Sequence, residues 1–565
     1  MYILGIWDGH DSGAAIIKGN QILVALNEER LSRRKLDIGF PQRSIKACLD
    51  YLNLTPMDIS GIAASTFDFA KTLTRVFPSM REEYYLLRRR KKAPGKLSGL
   101  KKLSKYKLTE INASFLTRYI SQAVLAKESG KSGFAGTQIF MFDHHRCHAA
   151  TASFCSGFEE CAVITLDGIG DGLSGSISVF KDQKLDLINT ISGKTSFGIF
   201  FEHVTNLLNM RELEDEGKVM AIANYAFPIS DAANPLLDFF HIEGTGVKSK
   251  YNSIKMYKEL KKVLWAYPSE QFAYLSQRTL EIKICELVKN VMIKTGQQKV
   301  ALSGGIFSNI KVNMRIRELP MVSNYFVFPH MGDGGLALGA AFCANYDLRQ
   351  ITSYKFNDVF LGLEHKDDDV EKVLKKHNLC FEKKDDIACD VARLIAKNEI
   401  VFWFQGRMEY GPRSLGHRSI LALANSEKIK DQLNLRLKMR VWYQPFCPSV
   451  LEEDAGEILE SYSGIPNRFM TMAYSVKPEY IDRLKGVISI DGTCRPQIVD
   501  KYDKLYYQLL QELKKITGIG VVLNTSFNVH GSPLVCLPAD AVETFIKTRN
   551  KYMAIQNYLV TRKDL

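Results

Sequence analysis

The chain opens on alternating blocks of apolar and turn-forming residues. Tyr2-Ile-Leu-Gly-Ile-Trp7 predicts a strand, Asp8-Gly-His-Asp-Ser-Gly13 a turn, and Ala14 to Lys18 and Gln21 to Asn27 two more strands of a meander. Thr137 to Phe142 predicts a further strand and Ala149 to Phe154 a small-residue helix. Ala162-Val-Ile-Thr-Leu166 has the unbroken apolar character of a buried strand and ends in Asp167-Gly-Ile-Gly-Asp-Gly172. Two apolar strands thus each end in an Asp/Gly turn. Duplicated halves closing on a nucleotide would show this pattern, with turn N–H groups such as that of Gly168 facing phosphate oxygens. Asp-Gly turns also close ordinary hairpins, so neither turn alone carries the reading.

A third element strengthens the pair. Lys299 to Leu302 predicts a strand, Ser303-Gly-Gly305 a tight turn, and Ile306 to Leu319 a helix, an arrangement that lets backbone approach a ligand. Tyr325 to Phe328 follows as a strand, and Pro329-His-Met-Gly-Asp-Gly-Gly335 leads into the small-residue helix Leu336 to Ala344. Close packing accounts for those alanines but not for Asp333 between glycines. From Asp347 to Asp386 the chain turns polar, which puts a domain junction near residues 345–365. The remaining ~200 residues suffice for an independent α/β domain.

Composition then narrows the class. At 565 residues, with 46% hydrophobic and 24% charged residues, the chain is globular and too long for one core. The net charge of +13 would suit a nucleic-acid binder, but between Arg81 and Lys107 eleven basic residues face only Glu82 and Glu83. The excess is mostly one local patch. The N-terminus lacks the charged region of a signal peptide, and no run of about 18 apolar residues predicts a membrane span. Eleven cysteines without a CxxC pair fit reduced thiols in a cytoplasmic enzyme.

Asp143-His-His-Arg-Cys-His148 is the clearest metal candidate, since three of only eleven histidines fall within five residues. His144 and His148 stand four apart, on one helical face, while His145 and His148 stand three apart, so spacing leaves the pair open. Asp333 and Asp167 are the best-placed distant carboxylates, and a mixed His/Asp set suits Fe(II), Mn or Zn. Towards the C-terminus, Gln405 to Ser419 holds Arg407, Arg413 and Arg418 among glycines, and Asp491 to Gln497 adds Arg495. Arginine forks beside flexible backbone suit a polyanion such as phosphate. Asn524-Thr525-Ser526-Phe-Asn528 offers further amide and hydroxyl groups to a ligand.

With these motifs in place, the chain resembles the carbamoyltransferase family of nodulation protein U and the antibiotic O-carbamoyltransferases of the tobramycin and cephamycin pathways. Gly9-His-Asp11, Asn27-Glu-Glu-Arg30, Asp143 to His148, Gly332 to Gly335, Glu409-Tyr-Gly-Pro-Arg413, Asp491-Gly-Thr493 and Asn524 to Asn528 carry the likeness along nearly the whole chain. The resemblance implies an α/β protein of two domains: residues 1–350 an actin-like ATPase (duplicated ribonuclease-H-like) domain, and residues 351–565 a YrdC-like domain. It implies that the second makes carbamoyladenylate from carbamoyl phosphate and Mg-ATP, and that the first transfers the carbamoyl group to a hydroxyl of a small or sugar-like acceptor. His10, in the Gly-His-Asp11 motif, then becomes the base, and His144, His148, Asp167 and Asp333 hold Fe(II) or another divalent metal. Ser303, Gly304, Gly305 and Asn309 match the nucleotide loop, and Lys218 lies in a segment related to the Glu-x-Lys-Val-Met motif.

The chain also departs from the family. Val441 and Gln444 stand where glutamate and arginine are usual, Cys447 replaces alanine, Ala221 a glycine, and His417 a frequent asparagine. One lost charge-assisted contact at 444 costs about 1.5–3 kcal/mol, for which Lys438 and Arg440 are the natural compensation. A competing expectation is a tRNA-modifying transferase that binds RNA through the basic 81–107 segment. Sparse aromatics in that segment, and the separate chains of the tRNA enzymes, argue against nucleic acid. The same segment would suit an anionic acceptor. Oligomeric state is left open.

Overall fold

Two sheets with identical wiring organise the N-terminal part of the computed structural model, which describes residues 1–93, 95 and 107–562. The first contains β1 (Tyr2–Trp7), β2 (Gly13–Lys18), β3 (Gln21–Asn27), β4 (Ile59–Ser65) and β5 (Ile139–Phe142), ordered β3-β2-β1-β4-β5. The second contains β6 (Cys161–Gly170), β7 (Leu173–Lys181) and β8 (Lys184–Ser192), then, beyond the hairpin β9 (Phe240–Glu243) and β10 (Gly246–Ser249), β11 (Lys299–Ser303) and β12 (Asn324–Val327). Its order is β12-β11-β6-β7-β8. In each sheet three strands run as an antiparallel meander and the first continues into two parallel neighbours. The repeat read from the two Asp/Gly turns is therefore a repeat of topology.

Small residues are what let this part close. A Cβ on Gly5 of β1 would lie 1.9 Å from the carbonyl oxygen of Ala337, and one on Gly339 would lie 2.4 Å from that of Cys147. Helix Leu336–Arg349 thus packs backbone-close on both β1 and helix His144–Cys155. Local differences from the expected elements have physical causes. Helix His144–Cys155 starts five residues before Ala149, because the carboxylate of Asp171 accepts the His144 N–H at 2.8 Å. Strand β6 runs on to Gly170 through a bulge, since Gly170 pairs with Leu173. The expected helix Ile306–Leu319 is a 3₁₀ turn, Gly305–Ser308, followed by helix Ile310–Arg317, which Asn309 caps by accepting the Val312 N–H.

The chain forms two compact units, Met1–Ser32 with Leu36–Phe356, and Arg33–Lys35 with Asn357–Leu565. The second is built on a sheet of eight strands: β13 (Phe381–Lys383), β14 (Val401–Phe404), β15 (Arg418–Leu423), β16 (Cys447–Leu451), β19 (Gln497–Val499), β20 (Val521–Ser526), β21 (Tyr552–Ile555) and β22 (Tyr558–Thr561). The short pair β17 (Tyr474–Ser475) and β18 (Thr493–Cys494) lies apart from it. Helices Ile387–Ala396 and Lys504–Thr517 bury apolar stripes against one face around Trp403 and Tyr506. Each fully buried aliphatic side chain there contributes about 1.5–3 kcal/mol. Both units are mixed α/β. Among the described residues no helix is long and apolar enough to cross a membrane.

Candidate functional site

In the first unit, one face of helix His144–Cys155 turns two imidazoles towards the ends of β6 and of the loop after β12. Ligand atoms of His144, His148, Asp167 and Asp333 all lie within 4.8 Å of one another. Asp167 Oδ2 is 3.3 Å from His144 Nε2 and 3.2 Å from His148 Nε2, while Asp333 Oδ1 is 3.6 and 3.7 Å from the same atoms. The opposite nitrogens are held from behind: Thr66 Oγ1 sits 2.9 Å from His144 Nδ1, and Ser303 Oγ 3.2 Å from His148 Nδ1. This leaves both Nε2 atoms for a ligand, as outer partners of metal-binding histidines do.

The alternative pair is resolved by position. His145 is buried with Nδ1 at 2.9 Å from Thr165 Oγ1 and Nε2 at 3.2 Å from the carbonyl oxygen of Leu173, so both its nitrogens are spent. Burial, then the neighbouring imidazoles, hold its pKa well below the usual histidine value. Two carboxylates meet in this buried pocket. Burial raises both, and hydrogen bonds from His144 and His148 more than offset it at Asp167, whereas Asp333 ends well above the usual range because Asp167 lies beside it. A divalent cation would relieve that repulsion, and two imidazole nitrogens with two carboxylate oxygens fit one.

His10 faces the other oxygen of Asp333, with Nε2 at 3.4 Å from Oδ2, and keeps a third of its side chain exposed. Its backbone carbonyl accepts the Trp7 indole N–H at 2.8 Å. Asp11 lies 3.7 Å from His330 Nε2, which in turn sits 3.0 Å from Asn27 Oδ1. Lys218 makes its ion pair at 2.7 Å with Asp215, and none with this cluster among the described residues. Ser303, Gly304 and Gly305, expected as a nucleotide loop, pack against the same centre. Ser303 is fully buried behind His148, a Cβ on Gly304 would lie 2.2 Å from the Leu166 carbonyl oxygen, and one on Gly305 2.8 Å from Asp167 Oδ1. Gly168 donates its N–H to Asp167 Oδ1 at 2.7 Å. The amide of Asn309 is shared between Gln277 and its own helix N-terminus.

In the second unit the arginines divide into two groups. Arg407 donates to the carbonyls of Leu361 and Gly362. Arg418, fully buried, donates to those of Gln405, Gly406, His417 and Leu363 and stacks on Phe404 at 3.6 Å. These two tie the loop together. Arg413 and Arg495 instead lie beside the Cys447 sulfur, which accepts from Arg495 Nε at 3.2 Å and Nη2 at 3.0 Å. Arg440 is near the same sulfur but donates Nε to Asn434 Oδ1 at 2.6 Å and Nη2 to the Pro445 carbonyl at 3.4 Å. Burial, and then Arg495, push Arg413 down to about 9, and burial lowers Arg440 to about 10. Buried Lys438 reaches Ser526 and Asn528, and burial holds it well below the usual lysine value. Asn524 is tied into a network with Ser414, Ser449 and Gln497, and Thr525 pairs with Ile420 on the neighbouring strand. Clustered cations of this kind suit a polyanion.

The basic run behaves otherwise than its composition suggests. Arg88 pairs with Glu202 and Glu212, Arg89 with Glu214, and Arg90 with the backbone carbonyls of Asn209 and Met210. Arg88 and Arg89 are therefore spent in largely buried ion pairs, whereas Arg90 makes its contacts at the surface. Residues 94 and 96–106 lie outside those described. No sequence motif marks Thr66 or Lys71, and the Asp8 turn gave no hint of its two cations.

Comparison with known proteins shows the family. Residues 2–342 match the family model described as carbamoyltransferase N-terminus, and residues 392–562 the one described as carbamoyltransferase C-terminus. An uncharacterized protein of Methanocaldococcus jannaschii is 31% identical over 99% of both chains. Nodulation protein NolNO of Sinorhizobium fredii is 30% identical over 98% of this chain and 79% of its own. Among solved structures, component A of the (R)-2-hydroxyglutaryl-CoA dehydratase of Acidaminococcus fermentans overlaps 61% of this chain and 97% of its own at 16% identity, with a TM-score of 0.34. With both family models matched in order along nearly its whole length, the chain belongs to the carbamoyltransferase family and is a carbamoyltransferase.

Proposed function

We propose that the protein is an ATP-dependent O-carbamoyltransferase, with an actin-like transfer domain and a YrdC-like activating domain. The observation that carries this reading is His10 on the outer oxygen of Asp333, whose inner oxygen belongs to the His144/His148/Asp167 cluster.

In the second unit, carbamoyl phosphate loses phosphate to water, and the resulting carbamate attacks the α-phosphorus of Mg-ATP, expelling pyrophosphate and leaving carbamoyladenylate. Arg413, Arg440 and Arg495 offset the charge of the two polyanions. In the first unit an acceptor hydroxyl attacks the carbamoyl carbon, the bond to AMP breaks, and the hydroxyl proton passes to His10 Nε2. Asp333 then faces the imidazolium so formed. A divalent cation, Fe(II) or a relative, held by His144, His148, Asp167 and Asp333 would supply Lewis-acid stabilisation of developing oxyanion charge.

The test separates the halves. Carbamoyl-phosphate-dependent pyrophosphate release should survive in the His144→Ala/His148→Ala variant while AMP release to an acceptor is lost. Wild-type transfer by that variant would defeat the metal assignment.

A further inference from the structure

We propose that the acceptor carries an anionic group, a carboxylate or a phosphate, and that Arg81, backed by Lys71, receives it beside His10. This rests on the carbamoyl-transfer reading above.

The cations gather through a short chain of contacts. Asp8, buried at the end of β1, is gripped by Arg75 through Nε at 2.9 Å and Nη2 at 2.8 Å, and by Lys71 Nζ at 2.8 Å. Arg75 spends its remaining N–H groups on the carbonyls of Ser65 and Thr66. One carboxylate thus answers two cations. The surplus charge falls at Lys71, whose ammonium lies 4.6 Å over the Trp7 ring. The same indole meets the His10 ring edge-on at 6.5 Å and the His144 ring at 6.2 Å. One aromatic plane therefore seats a cation, the candidate base and a candidate metal ligand.

Arg81 closes the other side. His10 is bridged to Ile38, and the next residue, Gly39, has φ +126°. A Cβ there would lie 2.9 Å from Arg81 Cζ and 3.0 Å from its Nη2. Glycine is what allows the guanidinium to lie against this backbone, one residue from the bridge to His10. Arg81 is half-buried and makes no hydrogen bond or ion pair with any described residue. It is also close enough to Lys71 to help hold that ammonium down to about 8, after burial and alongside Arg75. Asp333 also lies within electrostatic reach of Lys71, but it belongs to the His144/His148/Asp167 cluster. An unanswered guanidinium beside a second cation leaves mutual repulsion that a neutral hydroxyl compound would not relieve. A planar fork of this kind takes carboxylate or phosphate through paired hydrogen bonds.

The experiment compares matched ligands on the full-length protein by saturation-transfer NMR: glycerol with glycerol 3-phosphate, and a hexose with its 6-phosphate and its uronic acid. The anionic members should bind at least tenfold more tightly, and Arg81→Met should abolish that preference while Arg81→Lys keeps part of it. Preference for the phosphates or for the uronic acid identifies the group. Equal binding of neutral and anionic members, no binding by any anionic member, or a preference that survives Arg81→Met overturns the proposal. Carbamoyl-phosphate-dependent pyrophosphate release, measured without acceptor, keeps the two readings apart. Its absence in the wild type sinks the carbamoyladenylate mechanism, whereas its presence together with Arg81-insensitive binding sinks only the anionic acceptor.

Discussion

Gly170→Ala is a one-methyl test of the candidate metal centre. The new Cβ would lie 2.2 Å from Cγ, 2.4 Å from Nδ1 and 2.5 Å from Cδ2 of His144, against the face of the ring. Carbon atoms rest at about 3.5–4.0 Å, so ring or strand must retreat by more than about 1 Å. The ring has little room: Thr66 holds Nδ1 at 2.9 Å, and the His148 ring stands 4.8 Å away. Metal–ligand distances tolerate only about 0.2 Å. The displaced imidazole should therefore cease to be a ligand. Loss of an outer partner alone costs about 10–100-fold in metal affinity, so a lost ligand should exceed that range. Equilibrium dialysis with Fe(II) under anaerobic conditions, and with Mn or Zn, measures the change. Circular dichroism and thermal melting check that the fold persists, and His144→Ala sets the floor. A Gly170→Ala protein that binds within threefold of wild type, while His144→Ala does not, would refute the reasoning. It would mean that the bulge between Leu166 and Gly170 absorbs the methyl.

Four further variants probe the same geometry. Ser303→Ala removes the hydroxyl 3.2 Å behind His148 Nδ1; dialysis should show metal affinity falling by about 10–100-fold. Asp8→Asn leaves Arg75 and Lys71 without their carboxylate; denaturant titration should register a loss of about 3–5 kcal/mol. Burial pushes the Asp8 carboxyl up, but Arg75 and Lys71 outweigh it and hold it below the usual range. Its contribution is thus complete above the unfolded value of about 4 and fades as pH falls towards the lower folded value, so acid should narrow the gap between wild type and Asp8→Asn. Arg413→Ala should raise KM for carbamoyl phosphate or ATP by about 10–150-fold, the worth of a lost charge-assisted contact. Arg407→Ala, whose guanidinium serves the carbonyls of Leu361 and Gly362, should lower the melting temperature and leave KM in place.

Much of the architecture could be read along the chain. Tyr2–Trp7 and Gln21–Asn27 are strands over the residues their apolar runs mark, and the two Asp/Gly turns announced a repeated topology. The four-residue spacing of His144 and His148 is likewise a local fact, as are the donor types of Asp167 and Asp333. Such features are legible because periodicity and side-chain chemistry are written within a turn or two of backbone. What remained was decided by partners far away in sequence. The carboxylate of Asp171 starts the helix that aligns the two imidazoles, and Thr165 with Leu173 takes His145 out of contention. Glu202, Glu212 and Glu214 absorb Arg88 and Arg89, so a charge run that composition presents as a surface is partly interior. Arg418 and Arg413 stand five residues apart in one motif, yet one is spent on carbonyls and the other stands beside Arg495 and Cys447. An arginine's formal charge belongs to the sequence. Whether that charge is answered by a backbone oxygen, a carboxylate or a substrate depends on desolvation and on hydrogen-bond partners that only the folded chain brings within reach.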